Sequence, residues 1–163
     1  MKSFNEYIEI YQKQLEKGDI KEAYTRLMTY MRELKTHFAT QYLDYNISNN
    51  VYQGVMDISY FSITSNALKN KKLKVAIIFN HNEIRFEAWL AGYNKQIQAK
   101  YWKIFKDTSF AKYRLTDDIK QHISILEHVL IDNPDFNNLE TLTKEIERET
   151  LEFISQIENE LYS

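Results

Sequence analysis

The chain has no cysteine, one proline and three glycines in 163 residues. Each shortage removes a class of chemistry. Without cysteine there is no disulfide, no thiolate zinc site and no thiol nucleophile. With so few glycines there is no phosphate-cradling loop, and no Gly-x-Ser-x-Gly turn is present. Long apolar runs are missing too. The longest, Val75 to Phe79, is far too short to span a bilayer. The first residues, MKSFNEYIEIYQ, are acidic and broken up too early for a secretory signal. Together these absences predict a cytoplasmic protein with no membrane contact.

What is there belongs to the ordinary soluble class: 44% apolar and 27% charged residues. The aromatic content, with 12 Tyr and 9 Phe, argues against disorder. The length predicts one domain over residues 1–163, with enough chain for a sizeable core. A net charge of −2 hides an asymmetry. Residues 67–115 hold 11 Lys or Arg against 3 acids, net +8, and residues 116–163 hold 3 against 12, net −9. A basic middle suits phosphate. The plainer reading is two solvated faces, or an acidic segment packed near a basic one.

The most structured stretch runs from Leu73 to Trp102. Leu73, Val75, Ile77 and Phe79 alternate with polar or small residues, as do Ile84, Phe86, Ala88 and Leu90. Period-two alternation marks half-buried strands. A turn at His81-Asn82 predicts the pairs Phe79–Ile84, Ile77–Phe86, Val75–Ala88 and Leu73–Leu90, all apolar. The other face carries Arg85, Glu87 and Trp89, either solvated or covered by something amphipathic. Gly92 then allows a sharp turn into a helix over about 93–106. Tyr93, Ile97, Tyr101, Ile104 and Phe105 form its buried stripe. Asn94, Gln98 and Trp102 form a second stripe at i, i+4, i+8.

Before this stretch, Ser3 and Glu6 form a capping-box pair for a helix over 3–17, which Gly18 ends. Asp19 can cap a second helix over about 20–38. So tight a junction predicts an antiparallel helical pair. Residues 44–54 read as an Asn-rich loop, 56–64 as a strand, and 65–72 as a turn or short helix. Residues 107–115 look irregular. Residues 116–131 read two ways: Ile119, Ile123, Leu126 and Leu130 keep helical spacing, while Ile123, Ile125, Val129 and Ile131 alternate as a strand. Asp132-Asn133-Pro134 stops either element. A long amphipathic helix over 138–161 closes the chain. The fold class is therefore α+β. An antiparallel three-stranded meander, with 122–131 as a candidate fourth strand, packs with an N-terminal helical hairpin, a central helix and a long C-terminal helix.

Catalytic machinery is sparse. His37 reads as a cap or edge contact and His81 as a solvated turn residue. His122 and His128 share a face only on a strand, and Glu127 then points away, so no metal site is expected. The order helix, three strands, helix, strand resembles the restriction-endonuclease core. Such enzymes need acids and a lysine at fixed strand positions to hold Mg²⁺. Here the second strand lacks an acid and Glu87 lacks a lysine two residues on. Asp57 and Glu83 are the remaining acids for a degenerate or active nuclease-like domain acting on nucleic acid. The leading reading is a non-catalytic binding or interaction domain, with no cofactor. Its site for a small polar ligand or a protein partner is built on Arg85, Glu87, Trp89, Asn94, Gln98 and Trp102, since an Arg–Glu pair, amides and two Trp suit a small polar pocket. Self-association as a homodimer through the C-terminal helix is a third reading.

Across RFEAWLAGYNKQIQAKYW, residues 85–102, and again at IDNPDF, residues 131–136, the chain resembles an uncharacterised family of bacterial cytosolic proteins catalogued as a domain of unknown function. The resemblance covers nearly the whole chain. It implies a single α+β domain, favours a strand over 122–131, and implies no activity.

Overall fold

The structure, a computed structural model, describes residues 1–110, 112–117 and 123–162. Two helices come first. Helix α1 (Phe4–Lys17) starts on a complete capping box: the Glu6 backbone N–H donates to Ser3 Oγ, and the Ser3 N–H to Glu6 Oε2. Gly18, at φ 82°, stops it in the left-handed region. Helix α2 (Asp19–Gln41) follows at once, with Gly18 also its N-cap and Asp19 its first residue. The predicted antiparallel packing of α1 on α2 does not occur, because α1 buries none of its residues. A helical hairpin needs a loop of about two to five residues to reverse direction, and one residue is too short.

The remaining elements are β1 (Asn46–Ile47), β2 (Ile58–Thr64), α3 (Asn66–Asn70), β3 (Leu73–Asn80), β4 (Arg85–Gly92), α4 (Lys95–Asp107), β5 (Arg114–Leu115), β6 (Leu126–Asp132) and α5 (Leu139–Tyr162). The strands form one antiparallel sheet in the order β1-β2-β3-β4-β6-β5. The three-stranded meander is its centre. β1 and β5 lie in stretches read as loop or irregular, and two residues are too few to show a period. The doubtful stretch ends as a strand: β6 pairs with β4. The helical alternative would start at Thr116, which with Asp117 is not helical, and residues 118–122, where His122 lies, are outside the described residues. Sequence alternation fails in β6 because the register shifts between Phe86 and Glu87: Phe86 faces Ile131, and Glu87 faces Val129. The extra residue, Leu130, changes the phase of the pattern.

The central hairpin keeps its predicted faces but not its predicted pairs. Phe79 faces Phe86, Ile77 faces Ala88, Val75 faces Leu90 and Leu73 faces Gly92. The slip of two residues follows from the turn, which is four residues long instead of two. Asn80 Oδ1 accepts the backbone N–H groups of Asn82 and Glu83, and Ile84 takes φ 50°. A shift of two leaves every side chain on its own face, so hydrophobic pattern alone cannot tell the two registers apart.

One face of the sheet holds the core. Phe61, Ile63, Leu73, Val75, Ile77, Phe79, Phe86, Ala88 and Leu90 meet Met31, Leu34 and Phe38 from α2 and Ile146, Phe153, Ile154 and Ile157 from α5. The apolar stripe of α5 is thereby used up inside the molecule. Side chains on the other face, from Tyr60, Ser62, Lys74, Ala76, Arg85, Trp89 and Val129, are half-buried or exposed. Ile78, Glu87 and Thr64 are the buried exceptions. Among the described residues this face is thus partly open to solvent, with Ile78, Glu87 and Thr64 closed off from it.

Candidate functional site

A carboxylate sits in the middle of that second face. Glu87 is 3% exposed. On a strand, residues i and i+2 share a face, so Arg85 and Trp89 flank it, and Asn80 reaches it from the neighbouring strand. Arg85 Nε donates to Glu87 Oε2 at 3.0 Å, Asn80 Nδ2 to the same oxygen at 2.9 Å, and Trp89 Nε1 to Oε1 at 2.9 Å. Burial alone pushes the Glu87 carboxyl up. The donors from Trp89, Asn80 and Arg85, together with the Arg85 charge, outweigh it and hold the group below the usual carboxylate range. The same hydrogen bond raises the Arg85 guanidinium.

This geometry fixes Arg85 by one edge only. Its Nε is bonded to Glu87. Its two terminal amino groups make no hydrogen bond among the described residues, and the side chain is 31% exposed. A planar guanidinium presented this way is a fork for a carboxylate or phosphate. Beside it lies a cavity of about 290 Å³ lined by Arg85, Glu87, Lys112, Arg114, Glu127 and His128. Glu127 is already engaged: Ser124 Oγ donates to it at 2.7 Å and Arg114 Nη1 at 3.4 Å. The cavity therefore offers cationic donors and two occupied carboxylates.

The helix half of the predicted site has other work. Asn94 is the N-cap of α4 and accepts the Ile97 N–H. Gln98 Oε1 accepts the Gly92 N–H at 2.7 Å, and Trp102 Nε1 donates to the Thr116 carbonyl at 2.7 Å. Gly92 is needed for close approach: a Cβ there would stand 2.6 Å from the Gln98 backbone nitrogen. The structure thus joins Arg85, Glu87 and Trp89, while Asn94 and Gln98 hold the strand–helix junction and Trp102 ties α4 to the residue after β5. Asn80, Lys112, Arg114 and His128 were not singled out as ligand contacts in the sequence. Asn80 was detectable through the hairpin pairing. Lys112 and Arg114 lie on the edge strand β5 and its approach, with no periodicity to mark them, and His128 lies on the inner strand β6 with its ring against Phe153.

Other candidate groups resolve into fold contacts. Asp57 precedes Ile58, which pairs with Asn80, whereas Lys74 pairs with Ala91 at the far end of β3. Six residues of strand separate those ends, ~20 Å, so Asp57, Glu83 and Glu87 do not converge with Lys74. His81 is half-buried, not solvated. Its Nε2 lies 2.8 Å from Ser59 Oγ, and its ring stacks on Tyr24 and meets the edge of Phe79. Burial lowers its pKa, and the charge of Asp57 opposes that in part. Ser59 is fully buried and donates its own proton to the Gln53 carbonyl, so the His81 ring is the donor to it and not its base. His37 contacts Glu147 on α5, and Tyr42 donates to the same carboxylate, which raises the Tyr42 hydroxyl to about 12. His128 stacks on Phe153. Among the described residues no three His, Asp or Glu are placed to hold a metal ion, and no helix is long and apolar enough to cross a membrane.

A family model described as Domain of unknown function (DUF7000) matches residues 4–161. No curated protein and no solved structure matches the chain.

Proposed function

We propose, for a chain that belongs to the family described as Domain of unknown function (DUF7000), that it is a non-catalytic binding domain for a small anionic ligand. The ligand carries a carboxylate or phosphate, which docks on the open sheet face against Arg85. The observation that carries this reading is the guanidinium held through Nε by a buried, ionised Glu87, with both terminal amino groups unused beside a cavity. Pre-orientation lowers the entropy lost on binding. Glu87 is a positioning group here and does not touch the ligand. Lys112 and Arg114, which line the same cavity, supply further cationic contacts. Glu87 and Glu127, both already paired, exclude cationic ligands in favour of anions. We take the protein to work in the cytoplasm, which suits a chain without cysteine.

The test is a thermal-shift series with inorganic phosphate, succinate and a mononucleotide, run on wild type and on Arg85→Lys. A ligand at 100 times its Kd stabilises the folded state by about 2.7 kcal/mol. For this chain length that raises Tm by roughly 5–10 °C. Arg85→Lys keeps the charge but loses the fork, so the shift should shrink several-fold. If no anion raises Tm, or if Arg85→Lys responds as wild type does, the reading is wrong.

A further inference from the structure

Helix α1 is complete at both ends, and among the described residues no core element covers its apolar side chains. It has its capping box and its glycine stop, yet none of its 14 residues is buried. Isolated helices of ~12–15 residues are marginal in water. Caps close the ends of a helix but do not supply the packing that stabilises most helices in proteins. Its apolar side chains are also ordered. Met1, Phe4, Ile8, Tyr11 and Leu15 follow one another at intervals of three, four, three and four residues. That is the alternation of the two seam positions of a coiled coil. The four on the helix are all exposed, Phe4 at 79% and Tyr11 at 63%.

The charges are ordered as well. Glu6, Glu9, Lys13, Glu16 and Lys17 all fall at positions turned away from that seam. The positions bordering it hold Asn5, Tyr7, Gln12 and Gln14. Bordering charges are what select a different partner chain in coiled coils. Their absence leaves nothing to repel an identical helix.

We propose that α1 is the dimerisation element of this protein, pairing antiparallel with α1 of a second copy. The spacing from Phe4 to Leu15 reads the same in both directions. A two-fold axis therefore sets Phe4 against the second copy's Leu15, and Ile8 against its Tyr11, the self-complementary arrangement of a closed dimer. The antiparallel sense follows from the one-residue junction at Gly18. It places the rest of the chain directly after α1, so parallel pairing would crowd two bodies at one end. The exposed parts of Phe4, Tyr7, Ile8, Tyr11 and Leu15 come to on the order of 500 Å² per protomer. Doubled, that reaches the roughly 1,000 Å² that a specific interface needs.

Sedimentation over a micromolar concentration range tests this on the full chain. Wild type should dimerise. Ile8→Glu and Tyr11→Glu should each weaken the dimer at least about tenfold. Ile10→Glu, equally exposed but off the seam, should not. Since α1 supports no core residue, all three variants should keep the wild-type melting transition as monomers. Cross-linking sets the sense, and the lack of native cysteine makes it clean. Ile8→Cys mixed with Tyr11→Cys should form a mixed disulfide on oxidation, and neither alone should cross-link. A monomer at every concentration, equal loss of dimer in Ile10→Glu, or cross-linking of Ile8→Cys with itself would overturn the proposal.

Discussion

Replacing Glu87 by glutamine keeps the shape of the side chain and removes its charge. In the native network one oxygen takes two donors, from Asn80 and Arg85, and the other takes the indole N–H of Trp89. Glutamine offers one oxygen and one NH₂ group. Whichever way the amide turns, its NH₂ meets at least one N–H donor. Stripping one partner from a buried ion pair costs about 3–5 kcal/mol. Arg85 retains 31% exposure, so water takes over part of its lost interaction, and a loss of about 2–3 kcal/mol is expected, in line with the about 1.5–3 kcal/mol of hydrogen bonds to charged groups. At about 2–4 °C per kcal/mol for a chain of this size, Tm should fall by roughly 4–12 °C at pH 7. The pH dependence has a definite sign. Glu87 titrates below its ordinary value of 4.5 in the folded protein. Its contribution is therefore complete above that value and is lost as pH falls through the depressed folded value. The gap in Tm between wild type and Glu87→Gln should narrow as the solution is acidified below about pH 4. Differential scanning calorimetry from pH 7 to pH 3 measures both effects. A gap under about 1 °C at pH 7, or one that does not narrow in acid, would refute the ionised, bonded Glu87 on which Arg85 depends.

Two further outcomes follow from single buried contacts. Thr150 on α5 is fully buried, and its hydroxyl has no partner among the described residues. Thr150→Val should remove that desolvated group and raise the urea midpoint by the equivalent of about 1 kcal/mol. Gly92→Ala would force a Cβ to within 2.6 Å of the Gln98 nitrogen. It should destabilise by about 1–3 kcal/mol, and hydrogen exchange should show the strand–helix junction opening first.

The parts of this molecule that show in its sequence are those whose repeat matches the element. The alternation in 73–80 and 85–92 placed the hairpin, and the apolar stripe of 138–161 placed α5. Where the pattern is degenerate it misleads. The hairpin register slipped by two because Asn80 caps a longer turn through its side chain, a bond that leaves no trace in hydrophobic spacing. β6 wavered between helix and strand because Leu130 bulges. α1 and α2 were paired by habit of sequence, since a stripe says which face is apolar and not whether anything covers it. For the site, residues one strand step apart were legible as a group: Arg85, Glu87 and Trp89 share a face by arithmetic. Convergence across strands was not. Asn80 and Arg114 come to that region through pairing partners that only the folded sheet defines. The amides of Asn94 and Gln98 could be read as ligand groups or as caps with equal right, and they close the backbone around Gly92.

The two outer strands, β1 and β5, are two residues each. A sheet of this kind grows by accepting a foreign strand along its edge, and each edge strand here offers a grip of only two residues. On the β5 side, β6 continues past its short partner, but the bulge at Leu130 and the Asp132-Asn133-Pro134 stop spoil the template. The inner strands, with runs such as VAIIF, would be adhesive if presented at a rim. They are kept two places in from it. The strand order thus acts as a guard against fibril growth, and an internal deletion of residues 46–47, which leaves β2 without its β1 partner while keeping α2, should convert a well-behaved protein into one that precipitates.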